Sequence, residues 1–140
     1  KFFRVFSRVE YSLKASGYHK GEGTAEVDWR SFAKVVQPLI EAPSDPLLKE
    51  AIDFLLESPP KKQEIRSGLL YWADSEPSTD ILADKVLIYI RRVRNNLFHG
   101  GKFNDNWFAP ERSEPLIKHS LVVLAACICQ VDEVCRAYKG

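Results

Sequence analysis

The chain is poor in the residues that would mark a secreted, membrane-bound or metal-stapled protein. Its 140 residues contain no methionine and only three cysteines, Cys127, Cys129 and Cys135. All three fall in one stretch that reads as a helix, so they offer no disulfide framework, and no His or Cys cluster has zinc-finger spacing. The expectation is buried thiols, a reducing cytoplasm and no metal. The longest apolar run, Leu121–Cys129, is about half of what a membrane-spanning helix needs, so no membrane partner is expected. A net charge of +1 excludes a global field drawing the chain to nucleic acid, and any attraction for phosphate must be local. No repeat or low-complexity tract interrupts the sequence. With no methionine and Lys1 in first place, the natural N-terminus is expected to be trimmed, fused or otherwise outside this sequence.

What the sequence does contain is helical periodicity over one domain, residues 1–140. Phe2, Phe3, Phe6, Val9 and Leu13 recur at three and four residues, and Gly17 offers a stop. His19 to Thr24 reads as a loop. Asp28 is placed to cap a second helix with Phe32, Val35, Val36, Leu39 and Ile40 inside, closed by Pro43. Asp45-Pro46 is a cap followed by proline at the first helical position, and Pro59-Pro60 forbids extension of the helix it starts. Residues 61–74 read as a shorter helix holding Leu69, Leu70 and Trp72, and Ser78 or Thr79 can cap the next one. A helix from about Asp80 to Phe98 carries Leu82, Val86, Tyr89, Ile90, Val93 and Leu97, and Gly100-Gly101 ends it as a left-handed cap would. Phe103 to Arg112 reads as a loop whose Trp107 and Phe108 cover the bundle end. Ser113-Glu114-Pro115 opens one long final helix with Leu116, Ile117, Leu121, Leu124, Ile128, Val131, Val134 and Tyr138. No window combines β-branched alternation with hairpin turns, so the fold expected is all-α, an up-and-down bundle of four to five helices.

One stretch carries chemistry. From Arg91 to Lys102 the chain holds four cationic side chains (Arg91, Arg92, Arg94 and Lys102) and no acid, with Asn95 and His99 among them. Histidine moves protons near neutrality, and a guanidinium fork stabilises the charge that grows on a phosphate. Together they suffice to cut RNA by attack of the 2′-hydroxyl. Asn95 and His99 share a helix face one turn apart, with Arg91 a turn earlier. Arg94 is offset from His99 by about 140°, so convergence requires the helix end to tighten, the side chains to curl, or a second subunit to contribute. Arg94, His99 and Asn95 are the candidate catalytic residues, and Arg91, Arg92 and Lys102 the candidate RNA-backbone contacts.

The string Arg94-Asn95-Asn96-Leu97-Phe98-His99, after apolar Val86 to Val93 and before Gly100-Gly101-Lys102, resembles the Arg-x4–6-His signature of HEPN domains. These are small all-α domains of toxins, abortive-infection proteins and RNA-processing enzymes. The resemblance implies a metal-independent endoribonuclease without cofactor, toxin or phage-defence related, working as a homodimer with Arg94 and His99 of both subunits in one cleft. It also implies a possible antitoxin or sensor partner protein, and an acidic residue on the first helix, for which Glu10 is the candidate. Toxins of this family paired with a nucleotidyltransferase often carry tyrosine two residues after the histidine, where this chain has Gly101.

Two readings compete with catalysis. A non-catalytic helical dimer would bind RNA, a nucleotide or a partner protein through the same basic cleft. A plain basic helix end would satisfy the macrodipole and nothing else. His19 and His119 are read as unremarkable, and Glu10 could equally pair Lys14 one turn along.

Overall fold

The computed structural model describes the backbone of residues 1–99 and 110–140 and the side chains of residues 1–98 and 113–140. The chain is mostly helical: α1 (Phe2–Ala15), α2 (Trp29–Glu41), α3 (Pro46–Glu57), α4 (Leu82–His99), α5 (Pro110–Gln130) and α6 (Asp132–Lys139), with strands β1 (Lys62–Arg66) and β2 (Leu69–Ala73) between α3 and α4. None of the described helices is long and apolar enough to cross a membrane.

Local signals place the first three helices. Phe2, Phe6, Val9 and Leu13 of α1 are buried. Gly17, at φ +95°, ends the helix. Its N–H donates to the Lys14 carbonyl at 3.3 Å and that of Tyr18 to the Leu13 carbonyl at 2.9 Å, a Schellman closure. Asp28 caps α2 by accepting from the Ser31 N–H at 3.1 Å, and the Ser31 hydroxyl and N–H together hold its carboxyl below the usual carboxylate range. Asp45 caps α3 by accepting from the Leu47 N–H at 2.9 Å. The core then follows the stripes: Phe32, Val36 and Ile40 of α2, Leu48, Ala51, Ile52 and Leu55 of α3, Val86, Ile90 and Val93 of α4, and Leu116, Leu124 and Ile128 of α5. The inner faces are narrower than the apolar pattern suggested. Phe3, Val35 and Leu47 are exposed.

Two segments depart from the helical expectation. Residues 61–74 form an antiparallel hairpin rather than a short helix, with Gln63 opposite Trp72, Glu64 opposite Tyr71 and Ile65 opposite Leu70. Its two-residue turn is Ser67-Gly68, at φ +51° and +76°. Two positive φ values are what a tight hairpin turn of the right twist needs, and the Ser-Gly pair between Glu64-Ile65-Arg66 and Leu69-Leu70-Tyr71 was its sequence signal. Among the described residues the fold is therefore largely α, as expected, with one small two-stranded sheet that the all-α expectation did not include.

The second departure is the final helix, which is two helices. Val131 takes an extended backbone, φ −118° and ψ 110°, and Asp132 and Glu133 open a new helix with acids in the favourable first turn. The bend folds α6 across α1, where Arg8 donates to the Tyr138 carbonyl and lies 4.7 Å over its ring, and it buries Val134. At its other end α5 starts at Pro110, not Ser113, because proline has the φ of a first helical residue. The Gly100-Gly101 stop, Trp107 and Phe108 lie outside the described residues.

The thiols differ in their surroundings. Cys127 is buried in the core, and burial pushes its thiol up to about 12, whereas Cys129 is exposed and Cys135 half-buried. The expectation that all three are buried holds for Cys127 alone. A thiol-reactive probe applied to the native protein at pH 8 should therefore label Cys129 first and Cys127 only after unfolding, as peptide mass mapping would show.

Candidate functional site

The arginines of α4 leave the helix in three directions, and each meets a different environment. Arg91 turns towards α2. Its Nη2 lies 3.9 Å from Asp84 Oδ1, its Nε donates to the Leu87 carbonyl at 3.4 Å, and its guanidinium stands 5.4 Å from the Trp29 ring. Asp84 is buried in the first turn of α4, and its other oxygen receives Arg30 Nη1 at 3.4 Å. Arg30 also reaches Asp80 at 3.6 Å. Desolvation lowers the proton affinity of the Arg91 guanidinium, while Asp84 and Glu10 act in the opposite direction. Arg91 is thus held in an internal ion cluster, and the half-buried Glu10 of α1 exerts its charge on Arg91.

Arg92 turns the other way, towards the hairpin. It donates to the Ser75 carbonyl and lies 5.5 Å from the Tyr89 ring. Burial lowers its proton affinity, with Tyr89 and Glu64 acting against that. Arg94 turns to α1. Its guanidinium packs 4.8 Å from the Phe98 ring and 6.0 Å from that of Phe6, and Nη1 donates to Asn95 Oδ1 at 3.2 Å. Among the described residues no carboxylate pairs with Arg94, whereas Arg91 has Asp84.

The structure thus unites Arg94 with Asn95: the arginine side chain curls round the helix and closes the offset between neighbouring positions. It does not bring Arg91 or Arg92 to them, since both are directed to other partners. His99 ends α4, one turn from Asn95, and its side chain lies outside the described residues, as does Lys102.

Three features of this end of the molecule were missed from sequence. Asn96 is buried and its Nδ2 donates to the Lys61 carbonyl at 2.8 Å, tying the start of β1 to α4. The Asp84–Arg91 pair spans seven residues, two helical turns on one face, a spacing that the sequence did display. Phe3 meets Phe98 edge-on at 6.0 Å, leaving both rings substantially exposed next to Arg94. Among the described residues no group of three His, Cys, Asp or Glu side chains could hold a metal ion.

No family model, no curated protein and no solved structure matches the chain.

The contrast between the arginines is measurable as stability. Asp84→Ala leaves Arg91 partly buried without its acid and should cost about 1–3 kcal/mol in urea unfolding, below the value for a fully buried pair because the arginine retains solvent. Arg94→Ala, which breaks only an exposed hydrogen bond and two ring contacts, should cost less than about 1 kcal/mol. Equal losses for the two would mean that Arg94 is structural.

Proposed function

We propose that the protein is a metal-independent endoribonuclease of HEPN type, toxin or defence related, whose active site is built from Arg94, Asn95 and His99. The supporting observation is an arginine that, unlike Arg91 and Arg92, has neither an acid nor a backbone carbonyl as partner among the described residues. A guanidinium held by Asn95 and Phe98, with Asn95 one turn from a histidine at the helix end, is disposed to take a phosphate oxygen. Arg91 and Arg92 then act as supports of the site, and Glu10 acts through Arg91.

In this reading an imidazole takes the proton of a ribose 2′-hydroxyl as its oxygen bonds to the adjacent phosphorus. The bond from phosphorus to the 5′-oxygen breaks, and that oxygen receives a proton. Arg94 stabilises the negative charge gathering on the non-bridging oxygens. The products are a 2′,3′-cyclic phosphate and a 5′-hydroxyl. One histidine with one arginine is a sparse set for two proton transfers, and a two-fold axis through this end of α4 doubles it. The exposed rings of Phe3 and Phe98 give such a dimer an apolar contact beside Arg94. Gly101, where tyrosine would receive adenylate, makes control by adenylation unsuitable for this chain.

Purified protein in EDTA should cut a panel of structured RNAs to cyclic-phosphate ends. His99→Ala should reduce the rate by about 10²–10⁴-fold and Arg94→Ala by about 10²–10³-fold. No cutting by the parent would leave the non-catalytic binding module as the better reading, and undiminished cutting by His99→Ala would overturn the site built on His99.

The dimer has its own test. Light scattering at micromolar concentration should give twice the chain mass of 16.0 kDa, and Phe98→Glu should shift it to the monomer while activity falls. A parent that is monomeric and fully active sinks the composite site.

A further inference from the structure

Beside Asn95, a cavity of about 300 Å³ opens between β1 and α4, lined by Lys62, Gln63, Arg92, Asn95 and Asn96. Its lining is two cations and three amides, with no acid and no apolar side chain among the described residues. That composition is unusual for this chain, whose charges nearly cancel. A second cavity that Arg92 also lines, about 340 Å³, mixes Glu57, Asp74 and Glu76 with Lys85 and Arg92, so it lacks the purely cationic and amide lining of the first.

Two of the five residues are committed to the walls. Asn96 donates to the Lys61 carbonyl at 2.8 Å, and Arg92 to the Ser75 carbonyl. These bonds clamp the hairpin to α4 and fix the width of the opening. The side chains of Lys62 and Gln63 have no hydrogen-bond or ion-pair partner among the described residues, and Asn95 uses only its Oδ1, on Arg94. The Lys62 ammonium and the primary amides of Gln63 and Asn95, all three residues of the lining, therefore keep donors and acceptors to spare. Such groups suit a nucleobase edge and a phosphate, not an apolar ligand: each amide offers both a donor and an acceptor, and single-stranded RNA presents unstacked base edges to such pairs. The volume lies at the lower end of small-ligand sites, room for one nucleotide.

We infer that this cavity is the nucleotide subsite next to the scissile phosphate, in which Gln63 and Asn95 read the base and Lys62 binds the following phosphate. The inference rests on the ribonuclease reading, because the Arg94–Asn95 bond is what joins cavity and reaction centre into one track. It gives the hairpin a purpose: β1 supplies the selective wall and α4 the reactive one. Arg92, whose guanidinium is held by Ser75, adds positive potential at the floor.

The test uses fluorescein-labelled 2′-O-methyl hexanucleotides of A, C, G and U, which cannot be cut, with anisotropy titrations of the full chain at several salt concentrations. The parent should bind, with a spread of about fivefold or more between the best and worst base. Gln63→Ala should collapse that spread. Lys62→Ala should weaken all four oligomers by a similar factor and lower the salt slope by about 0.7, the loss of one phosphate contact on a single strand. Lys62 is exposed and Gln63 half-buried, and matching melting temperatures would confirm that the variants are folded. No binding by the parent, no spread among bases, or variants indistinguishable from the parent would overturn the subsite. Cutting of unmodified RNA measured in parallel separates the two readings. A parent that cuts while Lys62→Ala and Gln63→Ala change nothing loses the subsite alone; one that binds through them but never cuts loses the nuclease alone.

Discussion

The buried carboxylate of Asp84 sets the rotation of α4, and the rest of this end of the molecule depends on that rotation. Asp84 sits between Arg30 of α2 and Arg91 of its own helix. A charge so far out of water is tolerated only if it is paired. With Gln37 of α2 also accepting from the Ala83 N–H at 2.7 Å, the first turn of α4 is locked to α2 by two polar contacts. Helical geometry then carries the constraint forward. Once Arg91 faces Trp29, position 92 must face the hairpin, 94 the rings of α1, and 95 and 96 the start of β1. The roles of five polar positions are set by one ion cluster two turns away.

That distribution turns a basic helix end into distinct devices. A run of arginines would ordinarily be a solvated face with interchangeable members. Here Arg91 neutralises an acid, Arg92 anchors the segment after β2, and Arg94 is left with an amide and two rings. Positive charge near the C-terminus of a helix is favourable in any case, so the dipole explains why cations gather there. It does not explain why Arg94, unlike Arg91 and Arg92, has neither an acid nor a backbone carbonyl as partner among the described residues. The chemistry that the sequence motif suggests therefore narrows from a patch to a point.

The sequence was most legible where the signal is local. Asp28, Asp45 and Gly17 act as caps and stop because a side-chain oxygen or a positive φ works within three or four residues, whatever surrounds it. The hairpin was misread because Leu69, Leu70 and Trp72 look like a helical face when the turn chemistry of Ser67-Gly68 is overlooked. The break at Val131 was hidden by an apolar stripe that runs through it in register; only the packing of α6 on α1 makes the bend worthwhile. In the site, Arg94 and Asn95 were legible as residue types at a spacing. Their junction was not, since ideal geometry sets them apart and the flexible arginine closes the gap. Asn96 went unnoticed because a buried asparagine is defined by its distant partner, the Lys61 carbonyl, which no local pattern indicates. Lys62 and Gln63 were lost with the hairpin itself.

An isolated two-stranded hairpin is marginally stable in water, and this one exposes Ile65, Leu69 and Tyr71. Its persistence against the bundle depends on the Asn96–Lys61 bond, the Arg92–Ser75 bond and the burial of Ala73 at its end. Arg66, stacked 4.1 Å over Tyr71 and paired with Glu64 at 2.9 Å, stiffens the outer part without attaching it to a helix. The two attachments both lie on α4, within one turn of Arg94 and Asn95. Anything that shifts the end of α4 must therefore move the hairpin with it. A cavity whose one wall is a helix and whose other wall is a lightly held hairpin is coupled to the end of α4 without needing any further connecting element.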